Sequence, residues 1–120
     1  MINVSKSAET LQDGIANMMA GAKDDYKRSS LMGKSELSSY CKEKLENFES
    51  QTTVREGKKY IKVIYDRSVF AFIVKEDFKH FKKGDVLKPA GWAAPALNQP
   101  RGNVLTGNYP IQWTGPLYLN

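Results

Sequence analysis

At 120 residues the chain is long enough for one domain that buries about 65% of its unfolded surface, so neither a metal nor a disulfide is needed to hold a core. A single cysteine, Cys41, excludes an intramolecular disulfide and a multi-cysteine zinc site, and a single histidine, His80, excludes a histidine-pair metal site. The net charge of +5 is concentrated rather than spread: residues 58–88 carry nine Lys and Arg against only Asp66, Glu76, Asp77 and Asp85, residues 1–57 are near neutral, and Arg101 is the one charge beyond residue 88.

The first residues, Met1-Ile2-Asn3-Val4-Ser5-Lys6, lead into polar and acidic positions rather than an apolar run, so no signal peptide is expected. No stretch approaches the ~20 apolar residues of a membrane span. The chain reads as soluble and intracellular, where the Asn3-Val4-Ser5 sequon has no use.

Residues 7–28 read as a helix. Ser7 is a candidate N-cap, Glu9 suits the positively polarised first turn, and Leu11, Ile15, Met18, Ala22 and Tyr26 recur along one stripe. Gly14 and Gly21 lie beside that stripe. Each costs about 1 kcal/mol of helix propensity relative to alanine, which close approach by a neighbouring backbone would justify. A second helix is expected from a Ser35 cap to Glu49, burying Leu37, Tyr40, Cys41, Leu45 and Phe48, with Lys42 and Glu46 paired across one turn.

Residues 51–54 suit a short strand, and Glu56-Gly57 a turn. The strongest β pattern follows: residues 59–65 and 69–75 form a hairpin about Asp66-Arg67-Ser68. Its second arm is apolar on both faces, with Val69, Ala71 and Ile73 on one and Phe70, Phe72 and Val74 on the other. Such an arm belongs inside a sheet covered on both sides, by the helices on one and the C-terminal segment on the other. Gly84-Asp85 turns the chain into Val86-Leu87-Lys88. Beyond that, prolines 89, 95, 100, 110 and 116 forbid a continuous helix. Trp92, Val104, Tyr109, Ile111 and Trp113 nevertheless have much to bury, and Gly107-Asn108 suits a tight hairpin turn between residues 103–105 and 111–113. The expected architecture is a single α+β domain: two N-terminal helices packed on a small antiparallel sheet, closed by a Pro/Gly/Trp-rich segment.

No phosphate-cradling loop, dinucleotide glycine pattern or helical metal motif occurs, so no catalytic residue, metal or cofactor is expected. Cys41 and His80 fall in segments too different to form a nucleophile pair, and Asp77 and Asp85 suit charge balance better than metal ligation. The most suggestive constellation is basic and aromatic: Lys58, Lys59, Lys62, Lys79, Lys82, Lys83 and Lys88 beside Tyr60, Phe78, Phe81 and Trp92. Lysines release counterions from phosphates, and exposed rings stack on unpaired bases. The same lysines also suit a sheet edge guarded against aggregation. Arg101 adds a fork for phosphate or carboxylate, or alternatively a brace for loop carbonyls.

Three segments, Lys-Lys-Gly-Asp-Val-Leu-Lys-Pro-Ala-Gly-Trp-Ala-Ala-Pro-Ala (82–96), Arg101-Gly102-Asn103-Val104, and Thr114-Gly115-Pro116-Leu117-Tyr118-Leu119, together resemble a C-terminal module of small tailed-bacteriophage proteins. The likeness spans residues 69–119 and implies a phage origin and an infected-cell, cytoplasmic setting rather than a mechanism. The Lys-Lys-Gly-Asp turn also looks like the entry to a small SH3-like barrel of nucleic-acid-associated proteins. Three readings follow: a non-enzymatic phage accessory protein binding nucleic acid through its basic face, one that binds and inhibits or redirects a host protein, or an oligomer sequestering a nucleotide signal with Arg101 at a subunit interface.

Overall fold

A computed structural model describes residues 2–31 and 36–117. The elements in order are β1 (Ile2–Val4), α1 (Leu11–Leu31), α2 (Ser39–Glu46), β2 (Thr52–Glu56), β3 (Tyr60–Tyr65), β4 (Ser68–Val74), β5 (Val86–Leu87) and β6 (Tyr109–Ile111). Strands β2-β3-β4-β5 form one antiparallel sheet in that order, and β1 pairs with β6 in a separate ribbon. Two N-terminal helices on a small antiparallel sheet, the expected α+β layout, are therefore present.

The β3–β4 hairpin forms with a tighter turn than expected. Ser68 pairs with Tyr65, leaving only Asp66 and Arg67 in the turn, at φ 47° and 72°. Two left-handed central residues match the twist of the flanking strands. A bulge then corrects the expected faces. Ile64 pairs with Val69 and Val63 with Ala71, so Phe70 is the extra residue. The bulge turns Phe70 to the same side as Ala71 and Ile73, and Val69 joins Phe72 and Val74 on the other.

The first face packs on the helices: Ile61, Val63, Tyr65, Phe70, Ala71 and Ile73 share a core with Ile15, Met18, Met19, Ala22 and Phe48. The α1 cap is Thr10, whose Oγ1 accepts from Asp13 N at 3.1 Å, in place of Ser7. Helix α2 is capped by Ser38, whose Oγ accepts from Cys41 N at 3.2 Å, and it ends at Glu46; the expected Ser35 cap lies outside the described residues. Of the predicted α2 stripe, Leu45 and Phe48 are buried, Leu37 and Cys41 are half-buried, and Tyr40 is 71% exposed. Tyr40 lies on the side of α2 that carries Glu43 and Lys44, which line a surface depression rather than the core.

Both α1 glycines meet a close neighbour, and it is the C-terminal segment and the β1–β6 ribbon. A Cβ on Gly14 would lie 2.5 Å from Val104 O, and one on Gly21 would lie 2.9 Å from Val4 Cγ2 and 3.1 Å from Ile111 Cγ2. The C-terminal segment thus divides rather than capping the second sheet face. Residues 101–104 run antiparallel to 84–86, with Arg101 N donating to Val86 O and Val86 N to Gly102 O, each at 2.8 Å. The chain then passes α1 and turns through Gly107 and Asn108, at φ 75° and 57°. The expected hairpin about that turn does not form, because β6 finds β1: Asn108 N donates to Val4 O at 2.6 Å. The second sheet face is covered at one end by Phe78 and Phe81 of the β4–β5 loop, and Trp92 of the C-terminal segment reaches over it at Lys62.

Candidate nucleic-acid interface

Glycine, asparagine and aspartate in the Lys-Gly-Asp and Arg-Gly-Asn segments are joined as a lock. Asp85, 6% exposed, accepts from Lys82 N through Oδ2 and from Asn103 Nδ2 through Oδ1. Asn103 Nδ2 also donates to Lys83 O, and Asn103 Oδ1 accepts from Leu105 N and Thr106 N. Every polar atom of both side chains is spent on holding the turn against the following segment. Asp77 is spent likewise: Oδ1 accepts from Lys83 N at 2.8 Å, and Oδ2 lies 3.8 Å from Lys82 Nζ.

The topology gathers most of the basic residues at one end of the sheet. Tyr60 opposite Val74 places the β2–β3 turn, with Lys58 and Lys59, beside the β4–β5 loop that carries Lys79, Lys82 and Lys83. Lys59 Nζ lies 5.6 Å from the centre of the Phe78 ring. Acids thin this charge in places: Lys82 faces Asp77, and Lys75 lies 3.6 Å from Glu56. Among the described residues Lys58, Lys59, Lys62, Lys79 and Lys83 have no carboxylate within ion-pair distance.

One step into the sheet lies the arrangement with the clearest chemical direction. Arg55 of β2 stands directly opposite Lys62 of β3. Adjacent strands are about 4.8 Å apart, and like charges directly opposite each other destabilise a sheet. Neither cation has an ion-pair partner among the described residues. Glu56, the acid next to Arg55, belongs to the opposite face by strand alternation and faces Lys75. Over Lys62 sits Trp92, its ring centre 4.6 Å from Lys62 Nζ and its side chain 51% exposed. Trp92 occupies the tip of a loop closed by Ala96 N donating to Lys88 O at 2.8 Å and by Ala90 N and Gly91 N donating to Ala94 O. From Lys62 the aromatic surface continues through Phe72, Tyr60 and Phe78, with successive ring centres 5.8 and 5.9 Å apart. Phe72 is buried, whereas Tyr60 and Phe78 are half-buried.

Lys88 and Arg101 direct their polar ends into the protein. Lys88 Nζ donates to Pro116 O at 2.9 Å, and Arg101 Nη1 donates to Asn98 Oδ1 and Gln99 O. Burial, and then the neighbouring Arg101 charge, pulls the Lys88 ammonium below the ordinary lysine range; burial alone pulls Arg101 down. Arg101 therefore braces loop carbonyls, the second of the roles its position suggested. His80 lies against Phe81 with ring centres 4.0 Å apart, and Cys41 accepts from the Tyr26 hydroxyl at 3.7 Å. Asn98 O lies 2.7 Å from His80 Nε2.

Arg55 stands in this cluster although the sequence reading did not single it out. Its signal was the turn: Gly57 N donates to Tyr60 O at 2.8 Å, and two residues outward on each side are Arg55 and Lys62.

Among the described residues no helix is long and apolar enough to cross a membrane, and no group of three His, Cys, Asp or Glu is placed to hold a metal ion. Neither a curated protein nor a solved structure shows a significant match to the chain. A family profile does match, over residues 1–119, and by that extent the chain belongs to DUF7717, a family of unknown function.

Proposed function

We propose that this protein is a non-enzymatic nucleic-acid-binding protein whose contact surface is the β2–β3 margin of the second sheet face, about Arg55 and Lys62, and the adjoining end of the sheet. The observation that carries this reading is the Arg55–Lys62 cross-strand pair, roofed by a half-exposed Trp92. Two unpaired cations set side by side cost the sheet stability, and a polyanion laid across them would remove that cost. Lys58, Lys59, Lys79 and Lys83 extend the positive surface toward one end. Lys82 is partly neutralised by Asp77, and Lys88 and Arg101 lend little to it. A bacteriophage origin and an infected-cell setting belong to the same proposal, resting on the C-terminal resemblance.

The test is an anisotropy titration with labelled oligonucleotides at low and moderate salt. Binding should weaken steeply as salt rises, because each phosphate contact releases counterions. Absence of binding at low salt would end this reading.

A second reading, capture of a host protein, draws on a different place. Between α1 and β2 lies an apolar groove of about 280 Å³ whose lining includes Ile15, Met19, Phe48 and Val54. Strand β2 ends the sheet, and Val54 is 49% exposed. A pull-down from host lysate treated with nuclease separates the two readings: a protein partner that survives nuclease favours the groove.

A further inference from the structure

We infer that the polyanion this face accepts is single-stranded, with an unpaired base stacked on Trp92; the inference rests on the nucleic-acid reading above and names the substrate class within it. A duplex hides the faces of its bases and offers phosphates and base edges. Against such a ligand a half-exposed indole set beside Lys62 contributes nothing, and a phosphate laid on it forgoes its hydration. A single strand offers a phosphate and a bare base face within one nucleotide, and stacking tolerates any base because each has a π-face.

The geometry supplies both halves of that recognition at one point. Trp92 is carried at the tip of the 88–96 loop, anchored at its base by Ala96 N donating to Lys88 O, so the ring is presented rather than packed. Lys62 Nζ lies 4.6 Å from the ring centre, and Arg55 stands across the strand pair from Lys62. A base on the indole therefore has its phosphate within reach of two cations. The surface runs on past half-buried Tyr60 to Phe78, where Lys59 Nζ lies 5.6 Å from the ring, repeating the pairing of one ring with one lysine. Helical insertion into a major groove has no counterpart on this face, since its cations come from strands and tight turns.

The experiment compares the full chain with an oligothymidylate, an oligouridylate and a duplex of the same length, roughly 16 nucleotides, at low salt. Anisotropy gives affinity and intrinsic tryptophan fluorescence gives stacking. Single strands should bind at least about tenfold tighter than the duplex and quench the fluorescence. Trp92→Ala should weaken single-strand binding about tenfold and leave duplex binding unchanged. Trp92→Phe should keep most of the affinity while abolishing the quench, since Trp113 stays in place as an internal control. Circular dichroism confirms that the loop-tip variants fold. Equal affinity for single strand and duplex, together with an unchanged Trp92→Ala variant, overturns the single-strand inference and leaves the basic face standing. No binding of any of the three probes overturns both. The two homopolymers distinguish DNA from RNA as the source of the strand.

Discussion

Asp85 and Arg55 are both charged residues near the same sheet, and they meet their surroundings in opposite ways. Asp85 is 6% exposed and accepts from Lys82 N and from Asn103, which in turn binds Lys83 O and the amides of Leu105 and Thr106. Arg55 is exposed, faces another cation across the strand pair and has no ion pair among the described residues. The first region is saturated and closed, so its conspicuous Gly-Asp and Gly-Asn motifs are explained by folding alone. The second has electrostatic demand left over. A motif that stands out in sequence can thus be consumed by the fold, while the residues able to meet a partner come from an unremarkable strand and turn.

The sharpest way to break this contrast is to remove the lock. Asn103→Ala deletes two donated and two accepted hydrogen bonds and leaves buried groups of Asp85 and the backbone without partners. Unfolding free energy should fall by about 3 kcal/mol, read by urea denaturation, while oligonucleotide affinity of the folded fraction stays the same. A loss of affinity with stability intact would move Asn103 out of the scaffold and into the interface. Gly14→Ala tests the same scaffold on its helix side. Alanine gains about 1 kcal/mol of helix propensity, but its Cβ would stand 2.5 Å from a backbone carbonyl of Val104 that has little room to yield. A net loss of about 2 kcal/mol is expected, and a gain in denaturation midpoint would show that the close approach is not a constraint.

The opposite outcome is expected at the basic face. If Arg55 and Lys62 contact phosphates as proposed, Arg55→Gln with Lys62→Gln should shrink the slope of log affinity against log salt by about 1.4 for a single strand. Stability should hold or rise by a few tenths of a kcal/mol, because a like-charge pair has gone. A double variant that unfolds, or one whose salt slope is unchanged, would make these residues scaffold after all.

Periodicity reached the helices, the hairpin and the α+β layering because each rests on many residues repeating one pattern. It did not reach β1, whose three residues are too few to show a period, and so the partner of β6 was missed and Gly107-Asn108 was read as a local hairpin. The exchange of Phe70 and Val69 between faces was equally hidden, since a bulge alters register without altering composition. Composition marks residues 58–88 as basic but leaves open whether folding gathers Lys58 and Lys59 with the 79–83 lysines, which the hairpin register decides. Sorting them is equally hidden: whether a lysine meets Asp77, a carbonyl or water depends on tertiary distances of a few ångströms. Arg55 is legible only through the register set by Gly57 and Tyr60, because it lies outside the 58–88 band in which the positive charge is dense.

The smallest effect concerns two buried hydroxyls on the saturated side of the comparison that escape its rule. The hydroxyls of Tyr65 and Tyr109 are buried with no hydrogen-bond partner among the described residues. Burial, assisted by the charge of Asp66, pushes Tyr65 up to about 12, and burial pushes Tyr109 up as well. An unfolded tyrosine ionises near pH 10. Below that pH both states are neutral and the groups leave stability independent of pH. Between pH 10 and 12 the unfolded chain loses a proton that the folded one keeps, so stability falls as pH rises, by up to about 1.4 kcal/mol per pH unit for each tyrosine. Tyr65→Phe removes a hydroxyl that was dehydrated without compensation, so at neutral pH it should leave stability unchanged or raise it by up to about 1 kcal/mol. The same variant should flatten the decline between pH 10 and 12, leaving the share that belongs to Tyr109. A Tyr65→Phe protein that is less stable at pH 7 would mean that the hydroxyl is held by a partner and that the interior is as saturated there as it is around Asp85, whereas an unaltered alkaline decline would mean that Tyr65 ionises alike in the folded and unfolded chain.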